Sequence, residues 1–415
     1  MNVIPATVIS GFAGAGKSLL KEQLRQALSD KKLLTMVSHL GAGEVDAGLC
    51  ESNTPDRSIK CESREHLCLE LRKMGRAREW EHLLVDCTQV SEPLPVAECF
   101  ALDDGRGTPV SRYTKIDALI TVVDAPTFFD DIASPDSLRE RNQDVRLRDE
   151  RRVAEVLVAQ VELSNILVIA GSRSVSETAL SRLTGLLGCL NPDARIVRLD
   201  DPGFDPKSLL ETSLFNFDLN TTATSPTRYC DAAPPAPQSG YSIMGYRRFR
   251  PFHPERFEEF VHGDVLRGVV RSKGVFWVAN RPNVSGEWSQ AGKSRHHAFA
   301  GSFWAATPEA DWPLGPEQRA RVKANWKEPF GDRRQELSFV MEDITPAELE
   351  QRLDACLLTD RDLANGLAVW EEASHEPAPH VDHEHSGHLD AGDGSAHHHG
   401  EAFVGHSPHG SKRLQ

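Results

Sequence analysis

Apolar positions in the first half of the chain come in short runs separated by longer stretches of helical spacing. Val3-Ile4 and Thr7-Val8-Ile9 form one run, and Leu34–Ser38, His82–Cys87, Ile116–Asp124, Asn165–Ala170 and Ala194–Leu199 form others. After the first run, Leu19, Leu20, Leu24 and Leu28 recur at helical intervals, which predicts a helix over Leu19–Leu33. Strands that alternate with helices pair in parallel, and right-handed crossovers place the helices on both faces. The expectation is an α/β domain with a doubly wound sheet over residues 1–218.

A second pattern begins at Tyr241. Strands are expected at Ser242–Phe249, Val275–Asn280, Phe299–Ala305 and Gln335–Met341, and helices at Pro254–Val261 and Thr345–Leu357. Thr345 followed by Pro346 is a helix-start signal. Strands without regular helices between them suggest a smaller α+β domain over 241–373. Residues 219–240 are rich in Thr, Ser, Pro and Ala and read as a linker. Residues 374–415 show no apolar period and read as a disordered, His-rich tail.

Composition narrows the function classes. A length of 415 residues fits two domains with an appendage. A net charge of −14 argues against a general nucleic-acid binder, which needs a positive surface to meet phosphates. The alternation of Tyr246, Arg247, Arg248, Phe249, Arg250 and Phe252 is accordingly read as a half-exposed strand. Eight cysteines with no Cys-x-x-Cys pair suggest reduced thiols in the cytoplasm. Met1–Ser10 lacks the pattern of a signal peptide, and no apolar stretch is long enough to suggest a membrane span.

Gly11-Phe12-Ala13-Gly14-Ala15-Gly16-Lys17-Ser18 fits the phosphate-loop pattern between a predicted strand and a predicted helix. Glycines let backbone N–H groups converge on phosphate oxygens, and the helix N-terminus adds a favourable dipole. Gly14, Ala15, Gly16, Lys17, Ser18 and Leu19 are the expected nucleotide contacts. Lys17 would neutralise the β- and γ-phosphates, and the Ser18 hydroxyl would ligate Mg2+. Asp86, at the end of Leu83-Leu84-Val85-Asp86, is the candidate carboxylate for the same ion. Asp124 ends a similar run and is read as structural.

These residues resemble the CobW family of phosphate-loop GTPases, relatives of the urease and hydrogenase metallochaperones. Beyond the loop, Asp86-Cys87-Thr88-Gln89 with Glu92-Pro93 is similar to the family's Glu-x-Ser/Thr-Gly segment, and Asp117–Ala125 to its Val-Val-Asp-Ala stretch. Arg271-Ser272-Lys273-Gly274-Val275-Phe276-Trp277 looks like its Arg-x-Lys-Gly-x-x-Trp signature; Gly286–Gly292 and Gly331–Leu337 continue the match. The resemblance covers roughly residues 3–358. It implies GTP with Mg2+, zinc as the handled metal, and a client metalloprotein as partner.

Three departures stand out. The family's Cys-x-Cys-Cys motif falls at Ser58-Ile59-Lys60-Cys61 and keeps only Cys61; Glu44 matches a family glutamate, so a weaker zinc site from His39, Glu44 and Cys61 is conceivable. The family's Asn-Lys-x-Asp guanine reader is Ala170-Gly171-Ser172-Arg173, and Arg173 has only donors where guanine N1 and N2 need an acceptor. The glycine beside the γ-phosphate is Gln89. Ten of the 17 histidines lie in the tail, among them His383, His385, His388, His397, His398 and His399, and suggest reversible capture of zinc or a similar ion. Two readings stay open: a nucleotide-dependent metallochaperone, and a catalytically impaired paralogue that binds metal or acts as a scaffold.

Overall fold

Each apolar run in the first half is followed by a helix that returns the chain over one face of the sheet, and parallel pairing results. The computed structural model describes residues 3–12, 14–38, 58–61, 63–77, 79–88, 90–102, 109–141, 149–217, 240–312 and 315–364. The order is β1 (Ile4–Ser10), α1 (Lys17–Ala27), β2 (Leu33–Ser38), β3 (Ser58–Cys61), α2 (Arg64–Ala77), β4 (His82–Cys87) and α3 (Pro93–Ala101). It continues with β5 (Thr114–Asp124), α4 (Phe128–Ala133), α5 (Val153–Leu163), β6 (Ile166–Ala170), α6 (Glu177–Leu190) and β7 (Arg195–Arg198). The seven strands pair in the order β3-β2-β4-β1-β5-β6-β7, all parallel. Period-two alternation sends Ile166 and Val168 of β6 into the core beneath α1, with Leu20 and Leu24. Leu167 and Ile169 face the opposite way, into the core of α5 and α6.

The second unit holds β8 (Ser242–Arg248), α7 (Pro254–His262), β9 (Val269–Phe276), β10 (Val284–Ala291), β11 (Ser294–Ser302), α8 (Pro316–Ala324), β12 (Gln335–Met341), α9 (Pro346–Cys356) and α10 (Asp360–Leu363). Its sheet is antiparallel in the order β11-β10-β9-β12-β8. Phe257, Phe260, Leu349 and Leu353 from α7 and α9 cover one face, against Tyr246, Phe276 and Phe339. Thr345 caps α9 by accepting a hydrogen bond from the Glu348 N–H at 3.2 Å.

The other face of this sheet rests on α5. Tyr241, Ala291 and Val340 share a core with Val153, Ala154, Val156 and Leu157. At its centre the Glu162 side chain, 4% exposed, is paired with two cations from β9. Arg271 Nε lies 2.8 Å from Glu162 Oε1 and Lys273 Nζ 3.3 Å from Oε2. Gly292, in the β10–β11 turn at φ 54°, comes so close to α4 that a Cβ there would fall 1.8 Å from the Ile132 carbonyl oxygen.

Several boundaries differ from the sequence pattern. The first helix stops at Ala27, not Leu33, because Ser29 and Asp30 favour a turn, and Leu33 already belongs to β2. The strand expected at Val275–Asn280 is β9, which runs earlier through Arg271, Ser272 and Lys273. Polar residues populate this strand because partners across the domain junction satisfy them. β3 and β10 were read as motif segments and are strands. The expected Phe299–Ala305 strand starts at Ser294. The aromatic–basic stretch is structural: Tyr246 is buried, Arg247 pairs with Glu336, and Arg248 with Glu350 and Asp354. Apart from Gly240, the expected linker lies outside the described residues, and so does the tail.

Two predictions follow from buried ionisable groups. Removing one partner of a buried pair costs about 3–5 kcal/mol, because the remaining charges stay buried uncompensated. Glu162→Ala removes the carboxylate that Arg271 and Lys273 share, so urea unfolding should show a loss of that order and separate transitions for the two units; a single transition shifted by under about 1 kcal/mol would contradict the assignment. His82 is fully buried, with Nε2 3.0 Å from Thr7 Oγ1, and burial lowers its pKa to about 4. Folded His82 is therefore neutral, while the unfolded chain takes up a proton below pH 6.5. Its contribution is complete above that value and is lost as pH falls toward 4, by about 3 kcal/mol over the full span. Urea midpoints from pH 7 to 4.5 should fall more steeply for the natural protein than for His82→Gln.

Candidate nucleotide site

The loop after β1 emerges at the carboxyl edge of the sheet, where β2–β4 lie on one side of β1 and β5–β7 on the other. That reversal is where open α/β sheets form a crevice for ligands. Gly11 sits at φ 141°, and a Cβ there would fall 2.6 Å from the Val122 carbonyl oxygen, so β5 leaves room for glycine alone. Gly16 precedes α1 at φ 88°, ψ 14°, the left-handed region that glycine enters without penalty. Ala15 is buried, while Gly14, Ser18 and Leu19 face outward. The Lys17 ammonium donates to the Gly11 carbonyl, closing the loop on itself. Burial lowers the Lys17 pKa to about 8, against an opposing pull from Asp86.

Asp86 stands beside the loop because β4 pairs with β1 in the register Ile9↔Asp86. Its Oδ2 is paired with the Lys21 ammonium from α1. Oδ1 is buried and has no hydrogen-bond partner among the described residues. An unsatisfied buried carboxylate oxygen next to a phosphate loop fits a small hard cation or its bound water. Lys21 is the residue that motif reading missed; its signal is the four-residue spacing from Lys17, which puts both lysines on one helix face. Asp124 accepts a hydrogen bond from Thr127 Oγ1 at 3.0 Å, and burial nevertheless raises its pKa.

The segment after Asp86 is tied down by short polar contacts. The Thr88 N–H donates to the Ser38 carbonyl at 2.9 Å, and Thr88 Oγ1 lies 2.5 Å from Ser91 Oγ. Gln160 of α5 donates from Nε2 to the Ser91 carbonyl at 3.0 Å, and Arg151 holds Glu92 at 2.9 Å. The backbone carbonyl of Gln160 also accepts from Thr121 Oγ1 at 2.9 Å, and Thr121 Oγ1 lies 2.6 Å from Ser10 Oγ, next to Gly11. Gln89 lies outside the described residues.

The segment expected to read the base follows β6. Gly171 turns at φ 67°, and Ser172–Ser174 form a single helical turn. Both oxygens of Asp200 are engaged there: Oδ1 by the Ser172 hydroxyl and Oδ2 by the Arg173 N–H at 2.9 Å. Although partial burial acts the other way, these hydrogen bonds hold the Asp200 pKa below the usual carboxylate range. The Arg173 side chain is exposed.

Metal-binding candidates are less assembled. Cys61, at the end of β3, is fully buried, and burial, reinforced by Glu70, pushes its thiol up to about 12. Such a thiol stays protonated at neutral pH. Among the described residues no group of three or more His, Cys, Asp or Glu could hold a metal ion. His39, Glu44 and the tail histidines His383, His385, His388, His397, His398 and His399 lie outside those residues. Among the described residues no helix is long and apolar enough to cross a membrane.

Known proteins resemble this chain over most of its length. Residues 5–198 match the CobW/HypB/UreG nucleotide-binding domain, and residues 241–357 the cobalamin synthesis protein cobW C-terminal domain. The chain is 30% identical over 392 residues to zinc-regulated GTPase metalloprotein activator 1 of Dictyostelium discoideum, covering 88% of this chain and 82% of that one. It is 30% identical over 321 residues, 74% of each chain, to a zinc chaperone of Mycobacterium tuberculosis. Among solved structures, the Zn(II)-bound YjiA GTPase from E. coli is 15% identical, with 86% of this chain and 100% of that chain covered and a TM-score of 0.37.

Proposed function

The chain belongs to the CobW family of nucleotide-binding proteins, and from that premise we propose that it is a GTP-linked metallochaperone that passes zinc to a client metalloprotein. The observation that carries the reading is the complete phosphate loop at the sheet reversal, with an unpartnered Asp86 oxygen beside it. The relatives named as zinc-regulated activators and zinc chaperones supply the metal.

In this mechanism the N–H groups of Gly14–Leu19 take the phosphate oxygens, with the α1 dipole behind them. Lys17 exchanges its bond to the Gly11 carbonyl for the β- and γ-phosphates. Ser18 and Asp86 would hold Mg2+, which would neutralise charge developing on the phosphates. Thr88 and Ser91 lie on the segment after Asp86, which would sense the γ-phosphate, and Gln160 and Arg151 link that segment to α5 and so to the second sheet. Zinc loading and release then follow nucleotide state through this connection. Hydrolysis of the γ-phosphate belongs to the same proposal.

A second reading, a paralogue that binds metal or scaffolds partners without turnover, is favoured by Arg173 in the base-reading position. Titration with fluorescent GTP and ATP analogues separates the two. The proposed function expects magnesium-dependent binding that Lys17→Ala weakens by about 100-fold or more, since a charge-assisted phosphate contact is lost. Arg173→Asp should raise the preference for GTP over ATP by about tenfold or more. No binding at any magnesium concentration would leave only the scaffold. For zinc, truncation after Glu372 removes the ten tail histidines and should lower the stoichiometry measured by calorimetry; an unchanged count would exclude the tail from metal handling.

A further inference from the structure

Two lysines approach the phosphate site, and the loop motif accounts for only one. Lys21 follows Lys17 by one helical turn, and the two ammonium groups leave the same face of α1. Lys17 folds back onto the Gly11 carbonyl, whereas Lys21 reaches across to β4 and pairs with Asp86 Oδ2. The Lys21 and Asp86 side chains are 27% and 13% exposed, so water screens this pair only partly. The carboxylate that the proposed function gives to magnesium therefore already carries a cation on one oxygen, while its other oxygen is unpartnered among the described residues.

We propose that Lys21 is a positioning residue: a resident counter-ion on Asp86 that sets how strongly the site depends on magnesium. The proposal rests on the reading of the loop as a magnesium–nucleotide site. Like charges packed against one carboxylate repel, so a divalent ion must either displace the Lys21 ammonium or share Asp86 with it. Magnesium binding is weakened accordingly. In exchange, Lys21 supplies a second positive charge beside Lys17, and the triphosphate loses less when magnesium is removed. Lys21 also orients Asp86 when no metal is bound, because an unpaired buried carboxylate would be costly.

The test compares the natural protein with Lys21→Met and Lys21→Arg. Methionine keeps the unbranched stem and the helix propensity without the charge. Affinity for a fluorescent triphosphate is measured against magnesium concentration and in EDTA, and Mn2+ binding to nucleotide-free protein is followed by electron paramagnetic resonance. Lys21→Met should lower the half-saturating metal concentration by about tenfold and raise the ratio of nucleotide affinity with and without metal by a similar factor. Lys21→Arg should stay near the natural ratio, because its charge is retained. A Lys21→Met protein with a natural thermal transition but unchanged Mn2+ affinity and unchanged ratio would overturn the proposal and leave Lys21–Asp86 as a tether between helix and strand. If the natural protein bound no triphosphate at all, the nucleotide reading would fail. The Mn2+ titration would still decide the role of Lys21, because the variant must gain metal affinity with no nucleotide present.

Discussion

The buried carboxylate of Glu162 is the constraint on which the two-part architecture depends. An ionised group at 4% exposure survives only when paired, and the partners must come from the element packed against it. β9 supplies both, Arg271 and Lys273, two residues apart and therefore on one face of the strand. The surrounding sheet is arranged to keep them there. Arg271 also donates to Ser289 Oγ at 2.9 Å and to the Gln290 carbonyl at 3.0 Å. Ser272 receives the Trp288 indole N–H at 2.7 Å, and Gln290 donates to the carbonyls of Leu266 and Val269. Gly274 lets β12 come close, since a Cβ there would fall 2.2 Å from the Glu336 carbonyl oxygen.

Fixing Glu162 also fixes α5, and α5 is where the nucleotide domain and the second sheet meet. The same helix offers Gln160 to Ser91 at 3.0 Å and Glu155 to Ser294 at 2.6 Å, with Arg151 just before its start reaching Glu92. A shift of Ser91–Glu92 therefore presses on a rigid element whose other face carries a different domain. Coupling between sites is reciprocal in free energy, so in the proposed function a change at the second sheet would feed back on the segment beside Asp86. Packed side chains and direct hydrogen bonds supply the contiguous contacts that such coupling uses.

Legibility in the sequence followed the range of the interaction. The loop Gly11–Ser18 is local, so residue types alone announce it, and Asp86 could be found because an apolar strand run leads up to it. The capped start of α9 was equally readable, as Thr345-Pro346 carries its own signal. Lys21 carries only its spacing from Lys17, because its partner Asp86 lies 65 residues away and the pairing leaves no local pattern. β9 was displaced because a strand containing Arg, Ser, Lys and Gly has no apolar alternation; its partner Glu162 lies 109 residues from Arg271. β3 has four residues, too few for a period to register. The sense of Arg247 and Arg248 was recoverable from overall charge, since an acidic chain has carboxylates such as Glu336 and Asp354 to meet them.

The turn after β6 bears on how the proposed nucleotide would be recognised. Guanine offers donors at N1 and N2, and selection needs an acceptor held in place for them. Asp200 is the carboxylate near that turn, but the Ser172 hydroxyl and the Arg173 N–H engage its oxygens, and those bonds keep the turn in shape. Freeing Asp200 to read a base would undo the conformation that presents it. Arg173 brings donors alone. On the other side of the sheet reversal, Lys17, Lys21 and the α1 N-terminus gather positive potential around the site expected for the triphosphate. In the proposed function these charges would favour the phosphates, while both Asp200 oxygens at the turn after β6 are already engaged.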